Sequence, residues 1–187
     1  MLANAFRFYI SSFSGFSREV WLLTLVTFIN RAGTMVVPFM SLYLTKDMGL
    51  SLEQVGWVMS SFGAGSVVGA LVVAWLGRFP RMARTAVALQ ALLGVLLIAF
   101  GASRVLPVSY ALLFFGSIAL MMVFSLLTSL VQLEAPDDMR GRVMSIYTMA
   151  FRGGAPIGAI AAGATAARTS APVALTATGA LLTVLVA

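Results

Sequence analysis

The stretch FINRAGTMVVPF, residues 28–39, sets Asn30 and Arg31 inside a run otherwise suited to hydrocarbon. A second arginine, Arg152, stands in FRGGAPIG, and Gln90 is a lone polar residue in TAVALQALLGVLL. An arginine at the centre of a bilayer costs about 2.5 to 3.5 kcal/mol on insertion scales, so neither arginine faces lipid cheaply. Both are expected to point into a helix bundle or a wet cavity, and each needs an acceptor. The acids do not supply one: Glu19, Asp47, Glu53, Glu134, Asp137 and Asp138 all lie at or near the ends of apolar stretches. That leaves backbone carbonyls, Asn30, Gln90, hydroxyl groups, water or an anionic group on a ligand. Locking of neighbouring helices, through carbonyls freed near glycines, Pro38 or Pro156, is the structural alternative to ligand binding. Gln90 by itself reads first as an interhelical hydrogen bond. Two unmatched central cations lean toward a substrate with an anionic group. With no central Asp, Glu or His to titrate, any proton coupling falls to Asp47 or Glu53 at an outer mouth, or to another polypeptide.

The rest of the composition supports a membrane setting. The chain has 187 residues, 60% of them apolar and 10% charged, and a mean hydropathy of +1.01, which is too greasy for a water-soluble domain of this size. It contains no cysteine and no histidine, which removes disulfides, thiol nucleophiles, Cys/His metal sites and Ser-His catalysis. An enzyme, a metal and a cofactor are therefore not expected. Twelve basic against six acidic residues is the balance of a membrane protein with cytoplasmic loops rather than of a nucleic-acid surface. Eleven methionines and 11% aromatic residues fit adaptable packing and interfacial anchoring.

Six apolar stretches predict an all-α membrane protein of six transmembrane helices in one domain covering residues 1–187, with spans over 21–44, 52–76, 85–102, 110–133, 143–166 and 173–187. Residues 1–19, with Phe6, Phe8, Phe13 and Phe16 among serines and with Arg7 and Arg18, are expected to lie in the membrane interface. Ser51 and Gln54 have capping-box spacing at the start of the second span. The last span is short and lacks a flanking charge, which suggests truncation or marginal insertion. Counting loops alternately, one side receives Arg7, Arg18, Arg78, Arg81, Arg84, Arg140 and Arg142, the other Lys46, Arg104 and Arg168. Both termini are therefore expected on the cytoplasmic face of the cell membrane. Gly65 with Gly69, and Gly154 with Gly158, have the four-residue spacing that lets two helix backbones approach closely.

Two long strings carry a family resemblance. REVWLLTLVTFINRAGTMVVPFMSLYLTKDMGLSLEQVGWVMSSFGAGSVVGALVVAWLGR resembles the first two helices of bacterial major facilitator superfamily transporters, including Asn-Arg-x-Gly and the following Pro-Phe. QLEAPDDMRGRVMSIYTMAFRGGAPIGAIAAG is similar to the junction of the tenth and eleventh helices in drug and siderophore exporters of that superfamily. Members have twelve helices in two six-helix halves, so the resemblance implies a fold equivalent to one half, truncated or spliced from helix one and helices eight to twelve. The aspartate of the family's loop after its second helix is missing from ALVVAWLGRFPR. The resemblance also implies that Asp137, Asp138, Arg140 and Arg142 form a cytoplasmic gate latch, with simple positive-inside anchoring as the alternative.

The function expected is transport, as an exporter, of a small molecule by alternating access around a cavity lined by Asn30, Arg31, Gln90 and Arg152. Six helices would need a second copy, as a homodimer, or a partner half. A membrane remnant that transports nothing, or that modulates a full-length relative by pairing with it, is the competing expectation.

Overall fold

Pro38 interrupts the first apolar stretch. Its nitrogen has no proton to give the carbonyl of Thr34 four residues back, and Gly33 is a poor helix residue just before it. Helix α1 (Arg18–Gly33) therefore ends at Thr34, which donates its hydroxyl to the Arg31 carbonyl at 3.2 Å, and α2 (Val37–Lys46) begins with Pro38 in its first turn. The one helix expected over 21–44 is two.

The computed structural model describes residues 16–34, 37–46 and 48–184. Phe6, Arg7, Phe8 and Phe13 of the expected interfacial stretch, Asp47 and the last three residues of the sixth expected span lie outside them. After α2 come α3 (Leu52–Leu76), α4 (Met82–Ala102), α5 (Leu106–Glu134), α6 (Arg140–Arg168) and α7 (Ala171–Val184), which makes seven helices among the described residues. Ser51 caps α3 in both directions: Gln54 N donates to Ser51 Oγ at 3.2 Å, and Ser51 N donates to Gln54 Oε1 at 3.0 Å. Gly77, at φ 56°, closes α3 in a conformation that a side chain would strain. Helices α4, α5 and α6 begin three or four residues before the starts expected at Thr85, Tyr110 and Val143. At α4 and α6 the helix continues into a polar first turn that the apolar run does not mark, and at α5 Pro107 opens the helix from its first turn instead of ending a loop.

Among the described residues, α3, α4 and α5 are the helices both long and apolar enough to cross a membrane, and Pro172–Val184 forms a shorter apolar helix. Six spans are expected from the sequence, and three helices meet this measure among the described residues. Helix α6 has 29 residues, roughly 43 Å at 1.5 Å each, but its arginines, glycines and hydroxyl residues dilute its apolar content.

Helix α3 packs along α5, α4 lies against both α5 and α7, and α1 lies along α6. Glycines sit at the closest of these contacts. A Cβ at Gly65 would run into the Phe114 carbonyl and Ser117, and one at Gly69 would sit 2.7 Å from the Ile118 carbonyl oxygen. Across the other pair, a Cβ at Gly154 would be 2.7 Å from the Phe28 carbonyl oxygen, and one at Gly158 would overlap the backbone of Ala32. Lipid gives little hydrophobic drive for helix association, so close backbone contact supplies dispersion attraction in its place. The main core gathers Met40, Tyr43, Leu44, Phe100, Leu175 and Leu182 from α2, α4 and α7, with Tyr43 Oη donating to the Ser103 carbonyl at 2.7 Å.

Gly158→Leu should cost about 1 to 3 kcal/mol or more through overpacking, whereas Gly63→Leu, with nothing within 4 Å of its Cβ position, should be near neutral. The fraction folded across an SDS titration in mixed micelles, followed by circular dichroism, checks the contrast.

Candidate functional site: the polar stripe of α1

Residues three and four apart share a helix face, and α1 uses this to sort its polar side chains. Thr24, Thr27 and Asn30 are buried, while Leu22 and Leu25 on the opposite face are 49% and 54% exposed. The neighbours of the stripe are α5 and α6, plus α4 at Asn30.

Asn30 Nδ2 donates to Gln90 Oε1 on α4, joining two elements sixty residues apart in sequence. The residues are 1% and 5% exposed, so the bond is shielded from competition. It uses one donor and one acceptor, and leaves Asn30 Oδ1 and Gln90 Nε2 buried with no hydrogen-bond partner among the described residues. Both amides border a cavity of about 210 Å³, walled by Leu23 and Val26 of α1, Ala86 and Val87 of α4, and Val123 and Leu127 of α5.

Arg31, one residue on, is turned about 100° from Asn30 and enters a different environment. Its guanidinium carbon lies 4.6 Å from the centroid of Phe151 on α6 and 5.4 Å from that of Phe124 on α5. The two rings meet edge to face at 5.2 Å. Each desolvated cation–π contact contributes about 0.5 to 2 kcal/mol, so the pair offsets much of the roughly 3 kcal/mol insertion cost without any carboxylate. Arg31 Nε is buried and has no hydrogen-bond partner among the described residues. Beside it the hydroxyls are paired. Thr27 Oγ1 donates to the Leu23 carbonyl at 2.7 Å, Thr128 Oγ1 donates to the Phe124 carbonyl at 2.8 Å, and Tyr147 Oη lies 2.8 Å from Thr128 Oγ1. The Thr128 proton being committed, Tyr147 is the donor in that last bond.

The four residues expected to line one cavity are therefore distributed. The structure joins Asn30 to Gln90 and places Arg31 against Phe124 and Phe151. Arg152 is exposed on α6, turned away from the helix core, so of the two settings expected for it, bundle interior or wet cavity, it does not occupy the first. Position 152 follows Phe151 by the same 100° step, so the ring that faces Arg31 carries Arg152 away from it. In the loop, Arg140 pairs with Asp137 at 2.8 Å, both exposed, and the Arg142 guanidinium carbon lies 5.7 Å from the Phe16 ring centroid. Asp138 lies in the same turn before α6. Phe124, Phe151 and Tyr147 were missed in the sequence. Their signal is the i, i+4 pair of aromatics, Tyr147 and Phe151, immediately before Arg152.

Gln90→Leu should cost about 1 to 3 kcal/mol because it strands the Asn30 amide, while Asn30→Leu combined with Gln90→Leu should recover most of that loss. A double-mutant cycle in the SDS titration reads the coupling directly.

A family model described as Major Facilitator Superfamily matches residues 20–187, nearly the whole described chain. No curated protein and no solved structure matches the chain. The matched span takes in the polar stripe of α1, the loop before α6 and the helices long and apolar enough to cross a bilayer. The chain belongs to the Major Facilitator Superfamily, a family of multi-pass membrane transporters of small solutes.

Proposed function

We propose that the chain exports a small molecule by alternating access, as a half-length unit that works with a second copy of itself or a partner half. The observation that carries this reading is Arg31: a partly buried cation held by two aromatic faces, with a buried Nε–H group that no described protein group satisfies. Structural arginines are tied down by hydrogen bonds; one held by rings keeps its donors for a passing ligand. An anionic group on the substrate would meet that donor set. The exposed Arg152 on α6 would face the cavity shared with the second half.

The similarity of the PDDMRGRVMS string to drug and siderophore exporters supports export over uptake. The arginine-rich ends of α1, α4 and α6 support an orientation in the inner or plasma membrane with both termini cytoplasmic. An exposed ion pair such as Asp137 with Arg140 is worth only about 0 to 1 kcal/mol. A latch that must open in each cycle needs a contact of that size, and Asp138 and Arg142 would complete it.

Reconstituted in proteoliposomes, the parent chain should move a fluorescent anionic substrate, and Arg31→Ala should reduce that flux by about ten- to a hundredfold while remaining inserted. Equal flux in the variant would contradict the role given to Arg31. A parent that moves nothing and runs as a monomer in nanodiscs would favour a non-transporting protein that pairs with a longer relative.

A further inference from the structure

Arg152 leaves a charge exposed at the depth of the hydrocarbon. It stands twelve residues after Arg140 and sixteen before Arg168, the two ends of α6, which is roughly 18 Å and 24 Å of helix. Snorkelling serves arginines near helix ends, so this one cannot reach the headgroups on either side. Helix α6 packs against α1, α5 and α7 and therefore shares the depth of the bundle. Among the described residues Arg152 makes no hydrogen bond and no ion pair. Its surroundings on the helix are polar as well. Gly141, Ser145, Thr148, Arg152 and Pro156, three or four residues apart, form one exposed stripe along the first half of α6. Pro156 has no proton to give the Arg152 carbonyl four residues back, so one point of the stripe offers a freed acceptor beside a charged donor. Lipid satisfies neither group. Nor does the chain cover this side of α6: a Cβ added at Gly141 or Gly153 would meet nothing within 4 Å.

The geometry points to this stripe as the docking face for a membrane-spanning helix of another polypeptide, one that carries an aspartate or glutamate near its centre. The carboxylate accepts from the Arg152 guanidinium, in a pair whose two parallel N–H···O bonds fix the register of the helices. Met149 and Ile157, both exposed beside the stripe, give the incoming helix apolar contact. Charge decides which partner fits. A second copy of this chain is the wrong occupant, because its six acids all stand at or next to helix ends, far from the depth of Arg152. A twofold contact on this face would also set Arg152 against its own counterpart. Such a dimer would gather two copies each of Arg31 and Arg152 with no central acid among them. The inference rests on the reading of the chain as a half that needs another half, and narrows that half to a different polypeptide; it requires neither export nor a substrate.

The test uses the full chain in liposomes and a synthetic transmembrane helix as the probe, about twenty leucines and alanines with one glutamate at the centre, or with glutamine in its place. Förster transfer from a donor on the chain to an acceptor on the peptide should show the glutamate peptide associating about tenfold more tightly than the glutamine peptide. Arg152→Gln should bring the glutamate peptide down to the glutamine level, while inserted Arg31→Gln should keep the preference. If Arg152→Gln does not insert, Thr148→Trp, which leaves the charge but crowds the stripe, should weaken association of the glutamate peptide several-fold. Equal association of the two peptides with the parent, a preference kept in inserted Arg152→Gln, or one lost in inserted Arg31→Gln would each overturn the proposal. So would self-association of the parent that Arg152→Leu abolishes, since the stripe would then take a second copy. A parent that moves nothing in proteoliposomes but keeps the preference would contradict export and support this interface.

Discussion

Hydrocarbon offers no partner to a polar group, and that one constraint decides how α1 must sit. A helix carrying Thr24, Thr27, Asn30 and Arg31 within two turns has a single orientation in which the first three are buried and the fourth is partly so. Facing that stripe toward lipid would leave an amide and a guanidinium without partners, whereas Thr27 bonds the Leu23 carbonyl of its own helix in either orientation. Facing it inward lets α5 supply Phe124 and Thr128, α6 supply Tyr147 and Phe151, and α4 supply Gln90. The rotation of α1 is thus set by its polar residues, while its apolar residues, such as Leu22 and Leu25, are left to the outside.

The glycines make that orientation reachable. At Gly154 a Cβ would lie 3.2 Å from the Arg31 Cβ, so a side chain there would push α1 away and lift the guanidinium off the Phe151 ring. Gly158, one turn on, admits the backbone of Ala32. The small residues of α6 therefore do more than tighten a helix pair. They set the distance at which a cation can rest on two aromatic faces, and so they connect helix packing to the candidate site. The same logic separates the two polar regions of α1: a step of one residue, about 100°, sends Asn30 to a neutral cavity and Arg31 to an aromatic one.

Much of this was legible in the sequence, and the failures have physical causes. The Ser51–Gln54 cap could be read because it is local, needing only a fixed offset of three residues. The break at Gly33–Thr34 was also written there, in Gly33 and Pro38, but the demand for a stretch long enough to cross the bilayer masked it. That Gln90 would bond across helices could be expected, but its partner Asn30 could not be named, since a sixty-residue separation carries no register. The outward turn of Arg152 was not legible. A lone arginine on a weakly amphipathic helix does not say which side its neighbours occupy, and the aromatic partners of Arg31 lie on two helices that only the fold brings together. The family string around Pro136 to Ser145 spoke to membership, not to which face of α6 lines a path.

The orientation of α1 is the claim on which the rest depends, and a chain without native cysteine lends itself to measuring it. Single cysteines placed in turn from position 21 to position 31, spin-labelled in nanodiscs, report collisions with dissolved oxygen, which concentrates in lipid. High oxygen accessibility at 22 and 25 with protection at 24, 27 and 30, repeating every 3.6 residues, is the result this account predicts. A pattern of the opposite phase, with positions 24, 27 and 30 open to lipid, would contradict it.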